Sequence, residues 1–180
     1  MKSIRLLACV ATGVLLLTGC VGGPIRGDQP DGRYCIKAVA RKLVCTTGPV
    51  PTAEQEGKAK QFAVEPGKHV IWLVRDATYD SQRKLPVTIA GKPIETLPYT
   101  QSRVIVQPGP QTIALNTSRE ASEIRFDANA GKQTFVELAA HIGIFSTTVS
   151  LHRVSEAEGR TKALAGKLIN DIRLQQLAPQ

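Results

Sequence analysis

Between Lys68 and Val154, apolar and polar residues alternate in short runs, each closed by Gly, Pro, Asn or Asp. A period of two puts successive side chains on opposite faces of a strand. Val70, Trp72 and Val74 alternate with His69, Ile71 and Leu73. Both sets carry large apolar groups, which predicts a central strand over 68–75. Further strands are predicted over 85–90, 93–97, 103–107, 111–116, 124–127, 133–139 and 147–154. The turns Pro66-Gly67, Gly91-Lys92, Pro108-Gly109-Pro110 and Asn129-Ala130-Gly131-Lys132 separate them. Upstream, 34–44 reads as a strand, or a strand with its turn, and 46–60 as a loop with a helical turn near 52–61. About eight short strands at this spacing predict a mainly β protein, an antiparallel β-sandwich of transthyretin- or immunoglobulin-like type.

The period changes near the C-terminus. Ser155-Glu156-Ala157-Glu158 has the form of a capping box, with Ser155 as N-cap and Glu158 at N3. Ala157, Thr161, Leu164, Leu168 and Ile172 then recur at helical spacing, with Lys162 and Lys167 on the other side. They predict an amphipathic closing helix at about 155–173. Two readings stay open: packing against the sandwich, which is favoured, or binding a partner. Gly166 inside the stripe weakens the helix by about 0.5–1 kcal/mol relative to Ala.

The N-terminus has a third pattern. Lys2 and Arg5 precede an apolar run from Leu6 to Thr18 that ends in Leu17-Thr18-Gly19-Cys20. Spanning a bilayer takes roughly 20 apolar residues, so the run is short for a transmembrane helix and fits a signal peptide over 1–19. The tetrapeptide resembles a lipobox, which makes Cys20 the lipidation site. Its thiol would take a diacylglyceryl group, and its freed amine a further acyl chain; two or more chains anchor stably. Val21 at the second position favours the outer membrane by resemblance to enterobacterial sorting rules. Val21 to Arg33 holds four Gly and two Pro and reads as a flexible tether, giving a tether over 20–33 and a domain over 34–180. Arg26-Gly27-Asp28 inside it is read as chance.

Export decides the cysteines. Cys9 leaves with the signal peptide and Cys20 carries lipid. Cys35 and Cys45 remain in an oxidising compartment, where a disulfide closing a hairpin is expected. The formal net charge is +8, of which Lys2 and Arg5 supply two. The excess is thinly spread, and aromatics are only 4% of residues, against the basic patch with stacking aromatics of a nucleic-acid surface.

No catalytic constellation is legible. His69, His141 and His152 lie far apart and lack zinc-type spacing, although a sandwich could join His69 to His152. Arg75, Asp76 and Asp80 flank a polar stretch, 79–84, read as a solvated connection. Neither metal nor cofactor is expected. The apolar stretch 139–145 reads as a loop that closes one end of the sandwich or, exposed, presents Ile142, Ile144 and Phe145 to a partner or the membrane.

A string of turns carries a resemblance. Ala90-Gly91-Lys92-Pro93-Ile94, Val106-Gln107-Pro108-Gly109-Pro110-Gln111-Thr112, Ala130-Gly131-Lys132-Gln133-Thr134-Phe135-Val136 and Ser155-Glu156-Ala157-Glu158-Gly159 occur in this order. From about Val70 to Leu168 the chain resembles the bacterial lipoproteins of the domain of unknown function 2846 family, and the small sandwich modules called PEGA domains. Ala90 stands where that family usually has Asp, and Gln111 where His is common. The resemblance implies a small sandwich and no catalytic residues.

These readings predict a lipid-anchored, non-enzymatic envelope module that faces the periplasm and binds or assembles with an envelope protein. A narrower form is an outer-membrane adaptor of a secretion machine. The competing class is an envelope hydrolase, which needs titratable side chains converging in a pocket.

Overall fold

The computed structural model describes residues 26–37, 43–76, 84–116, 121–142 and 147–174. Three short strands come first: β1 (Arg26–Asp28), β2 (Tyr34–Lys37) and β3 (Leu43–Cys45). Helix α1 (Ala53–Ala59) follows, then β4 (His69–Arg75), β5 (Leu85–Ile89), β6 (Lys92–Thr96) and β7 (Thr100–Val106). After these come β8 (Gly109–Asn116), β9 (Ala121–Ala128), β10 (Gln133–Ile142), β11 (Thr147–Val154), α2 (Glu156–Ala165) and β12 (Lys167–Arg173). The protein is mainly β, as the alternating pattern predicts.

The strands form three sheets, ordered β1-β2-β3, β11-β10-β4-β7-β12 and β6-β5-β8-β9. The five- and four-stranded sheets share one core, the arrangement of a β-sandwich. Ile71, Leu73, Val104 and Val136 from the first meet Val87, Ile89, Ile113 and Leu115 from the second. The five-stranded sheet is mixed rather than antiparallel, because β10 runs parallel to β4 and β12 parallel to β7.

The continuous apolar run in β4 has the expected cause. β4 is the middle strand, and all seven of its residues are buried. Ile71 and Leu73 face the sandwich, while Val70, Trp72 and Val74 face a second core beneath the helices. There Trp72 stacks on Phe135 at 6.2 Å between ring centroids, and Phe62 tilts onto Trp72 at 5.0 Å. The Trp72 indole donates to Gln133 Oε1 at 3.2 Å. Arg160 of α2 places its guanidinium over the Phe62 ring. A third cluster, with Tyr34, Ile36, Leu97 and Ile169, seats the small sheet on the sandwich.

β2 and β3 form the hairpin that the cysteine spacing implies. Cys35 stands directly opposite Cys45, and the two are joined by a disulfide. Thr52 caps α1 with a complete capping box, and the Ser155 side chain accepts from the Glu158 amide at the start of α2. The tight turn between β5 and β6 lies one residue earlier than expected, at Ala90 and Gly91, both with positive φ.

Three expectations are corrected. The helix expected over 155–173 ends at Ala165, and Lys167–Arg173 is strand β12. Gly166 is extended, and its backbone packs close to that of Thr100. Pairing with β7 then buries Leu168 and Ile169, which outweighs the helical spacing. Within the expected tether of 20–33, Arg26–Asp28 is β1, zipped onto β2. The loop expected at 139–145 begins as strand: β10 continues to Ile142, opposite Thr147, while Ile144 and Phe145 lie outside the described residues.

Candidate functional site

His69 is 2% exposed. Its Nδ1 lies 2.9 Å from the Asn129 carbonyl, so Nδ1 carries the proton and donates. Its Nε2 lies 3.1 Å from Thr134 Oγ1, which donates to it. Both ring nitrogens are occupied within the fold. Burial pushes the His69 pKa down, against the Asn129 hydrogen bond, and the Arg153 charge lowers it further.

Strand alternation separates His69 from His152. His69 shares the face of Ile71 and Leu73, toward the sandwich core. On β11 that face belongs to Val149 and Leu151, so His152 points to the other side with Val154. Its ring nitrogen lies 2.7 Å from Ser150 Oγ. Arg75 is also turned inward: it is 2% exposed and donates to the carbonyl and hydroxyl oxygens of Thr96. Asp80 and the rest of 77–83 lie outside the described residues, as do Cys20 and the segment 1–19 expected to be a signal peptide. Among the described residues no three His, Cys, Asp or Glu side chains are placed to hold a metal ion.

The two open sides of the sandwich differ. On one side β9 and β11 close on each other, with the Leu151 amide donating to Ser122 Oγ at 3.0 Å and Arg153 lying over Phe126. On the other side the sheets end in β6 and β12. Asn170 bridges them, its side-chain amide donating to the Glu95 carbonyl at 3.0 Å and to Ser102 Oγ at 2.8 Å.

β12 is an edge strand. The amides of Lys167 and Leu174 point inward, to the carbonyls of Tyr99 and Ile105. The Leu168 amide points outward, where Glu56 Oε1 accepts it at 3.1 Å. A bulge between Leu168 and Asn170 resets the alternation. Counting back from Leu174, the backbone groups of Asp171 and Arg173 then face outward, on the side where no strand among the described residues pairs with β12.

Glu56 covers only the first turn of this edge. Its carboxylate meets Lys60 at 2.8 Å and Lys167 at 3.1 Å. Burial pushes the Glu56 pKa up, but Lys60, the Leu168 amide and Lys167 outweigh it and hold it below the usual range. Burial likewise works against the Lys167 charge, and Asp28 and Glu56 reverse that to raise its pKa.

Beyond Glu56 a hollow opens on each face of the edge. One, of about 370 Å³, is walled by Pro86, Pro93, Ile94 and Ile172, with the Lys84–Glu95 pair at its rim. The other, of about 380 Å³, is bounded by Pro49, Pro51, Gln55 and Asp171. Asn170 and Ile172 line both. An added strand would hydrogen-bond to the edge and send successive side chains to opposite faces, one into each hollow. The arrangement suits holding an extended peptide, and at the rim of the first hollow the Thr47 hydroxyl donates to Glu95 Oε2 at 2.9 Å while Lys84 donates to both, at 3.1 and 3.0 Å.

No family model matches the chain, and neither a curated protein nor a solved structure does.

The sequence reading missed this edge because it placed Leu168 and Ile172 on a helix. The available signal was Gly166, a helix stop followed by the β-prone run Leu168-Ile169.

Proposed function

We propose that this protein is a lipid-anchored, non-enzymatic binding or assembly module of the cell envelope. Its domain faces the periplasm and takes an extended segment of an envelope protein along β12. The observation that carries the binding half is the open β12 edge between two hollows, one on each face. The anchor rests on Leu17-Thr18-Gly19-Cys20 after the apolar run. No helix among the described residues is long and apolar enough to cross a membrane. The ordered turn landmarks support kinship with the lipoproteins of the domain of unknown function 2846 family. A transthyretin- or immunoglobulin-like type for the sandwich belongs to the same proposal, supported by the core shared between two sheets.

Two experiments test the halves separately. Cys20→Ser should release the protein from the membrane fraction and block processing; unchanged membrane attachment would remove the anchor. For the edge, a photo-crosslinking residue is placed at Gln55, at Pro93 and, as control, at Arg125 on β9. Gln55 and Pro93 should capture the same envelope protein, and Arg125 should not. Equal capture from all three positions, or none from Gln55 and Pro93, would reject the β12 site.

A further inference from the structure

We propose that the outer face of the small sheet is a second membrane contact, docking Leu43 and Lys37 onto an anionic bilayer surface. This rests on the anchor reading for its orientation.

The pairing of β1 shortens the leash. From Cys20 to Arg26 there are six residue steps, a reach of at most about 20 Å when fully extended. The small sheet is therefore the part of the domain held nearest the lipid. Its direction also matters. β1 is antiparallel to β2, with Asp28 opposite Tyr34 and Arg26 opposite Ile36. Traced back toward Cys20, the chain leaves the sheet at the end where β2 finishes with Lys37.

Lys37 stands directly opposite Leu43 at that end. Ile36 and Val44, the next pair, point into the cluster that seats the sheet on the sandwich. Alternation turns Lys37 and Leu43 to the outer face. Leu43 is 52% exposed, one of two large apolar side chains so exposed among the described residues. The Cys35–Cys45 disulfide staples the same two strands two residues away. From Tyr34 to Cys45 the sequence carries three cations and no acid. An exposed leucine beside a lysine on a stapled hairpin matches a bilayer surface. The leucine enters the acyl boundary, and the lysine stem lies along it with the ammonium among anionic headgroups.

The test uses the chain from Val21 onward, which carries no lipid and keeps every described element. It is spun down with vesicles of phosphatidylcholine alone, or with added phosphatidylglycerol. Sedimentation should require phosphatidylglycerol and weaken with salt. Lys37→Glu should weaken it by about five-fold or more, the scale of one cation near an anionic surface. Leu43→Ser should weaken it as well, and Leu164→Ser, at the other exposed leucine, should not. All three variants should melt as the parent does. Binding indifferent to lipid charge, or unchanged in both Lys37→Glu and Leu43→Ser, would overturn the proposal. Because this chain lacks Cys20, the result is independent of the Cys20→Ser fractionation.

Discussion

Gly159 of α2 lies flat against Phe135 of β10, and a methyl group on Gly159 would overlap the Phe135 ring. This contact sets how closely α2 approaches the sheet. Alanine favours a helix interior over glycine by about 1 kcal/mol. Overpacking a filled site costs about 1–3 kcal/mol, so Gly159→Ala is expected to destabilise the domain overall. Gly57 in α1 has open space around it, and Gly57→Ala should raise the melting temperature. The pair is read by thermal unfolding of the chain from Val21 onward. A raised melting temperature for both would mean that α2 is not fixed by Phe135.

Leu164 and Leu168 belong to one helical stripe in the sequence and to opposite environments in the fold. Leu164 is 55% exposed on α2, whereas Leu168 is fully buried in β12. Leu168→Ala should cost roughly 2–5 kcal/mol. Leu164→Ala should cost under about 0.5 kcal/mol, as surface changes usually do. Urea unfolding of the two variants measures the difference, and equal losses would restore the continuous helix.

Glu56 joins α1 to β12. Its side chain is 13% exposed and faces Lys60 and Lys167, at 20% and 17%. Glu56→Ala leaves two poorly solvated cations and the Leu168 amide without that acceptor. The expected cost is about 1–3 kcal/mol. Because the folded carboxyl titrates below its ordinary value, its stabilisation is complete above the unfolded value of about 4.5. It is lost as pH falls through the lower folded value. Glu95 has the same sign: burial raises its pKa, but the Thr47 amide, Lys84 and the Thr47 hydroxyl outweigh that. Acid titration of stability should therefore be shallower in Glu56→Ala than in the parent below about pH 4.5.

His69 acts in a higher window. It faces the Asn129 carbonyl, the Thr134 hydroxyl, the Phe126 ring and, at longer range, Arg153. Its folded pKa is depressed, so the unfolded chain takes up a proton near pH 6.5 that the folded chain refuses. Its contribution is complete above that value and declines as pH falls below it, until the folded value is reached. Urea midpoints measured between pH 7.5 and 5 should fall in the parent and fall less in His69→Asn. Parallel curves would show that His69 does not titrate differently on folding.

The sequence by itself determined the strands whose period of two is enforced by burial. β4 was legible as a central strand because both its faces are apolar, and the Cys35–Cys45 hairpin because two cysteines ten residues apart can close one. The N-cap Ser155 was legible because capping is local, needing only a side chain and the amide three residues on. Tertiary structure decided everything that depends on a distant partner. Residues 167–173 have a helical spacing and a strand composition together, and only the free edge of β7 selects between them. Arg26–Asp28 carries no apolar pattern and becomes a strand because β2 offers it an edge. The grooves beside β12 were illegible for the same reason. Their walls come from segments more than 70 residues apart, Pro86 to Ile94 on one side and Asn170 to Ile172 on the other, with Pro49 to Gln55 beyond. A local pattern fixes which face a side chain takes; which surface it then meets is settled by the pairing of edges that the chain brings together only on folding.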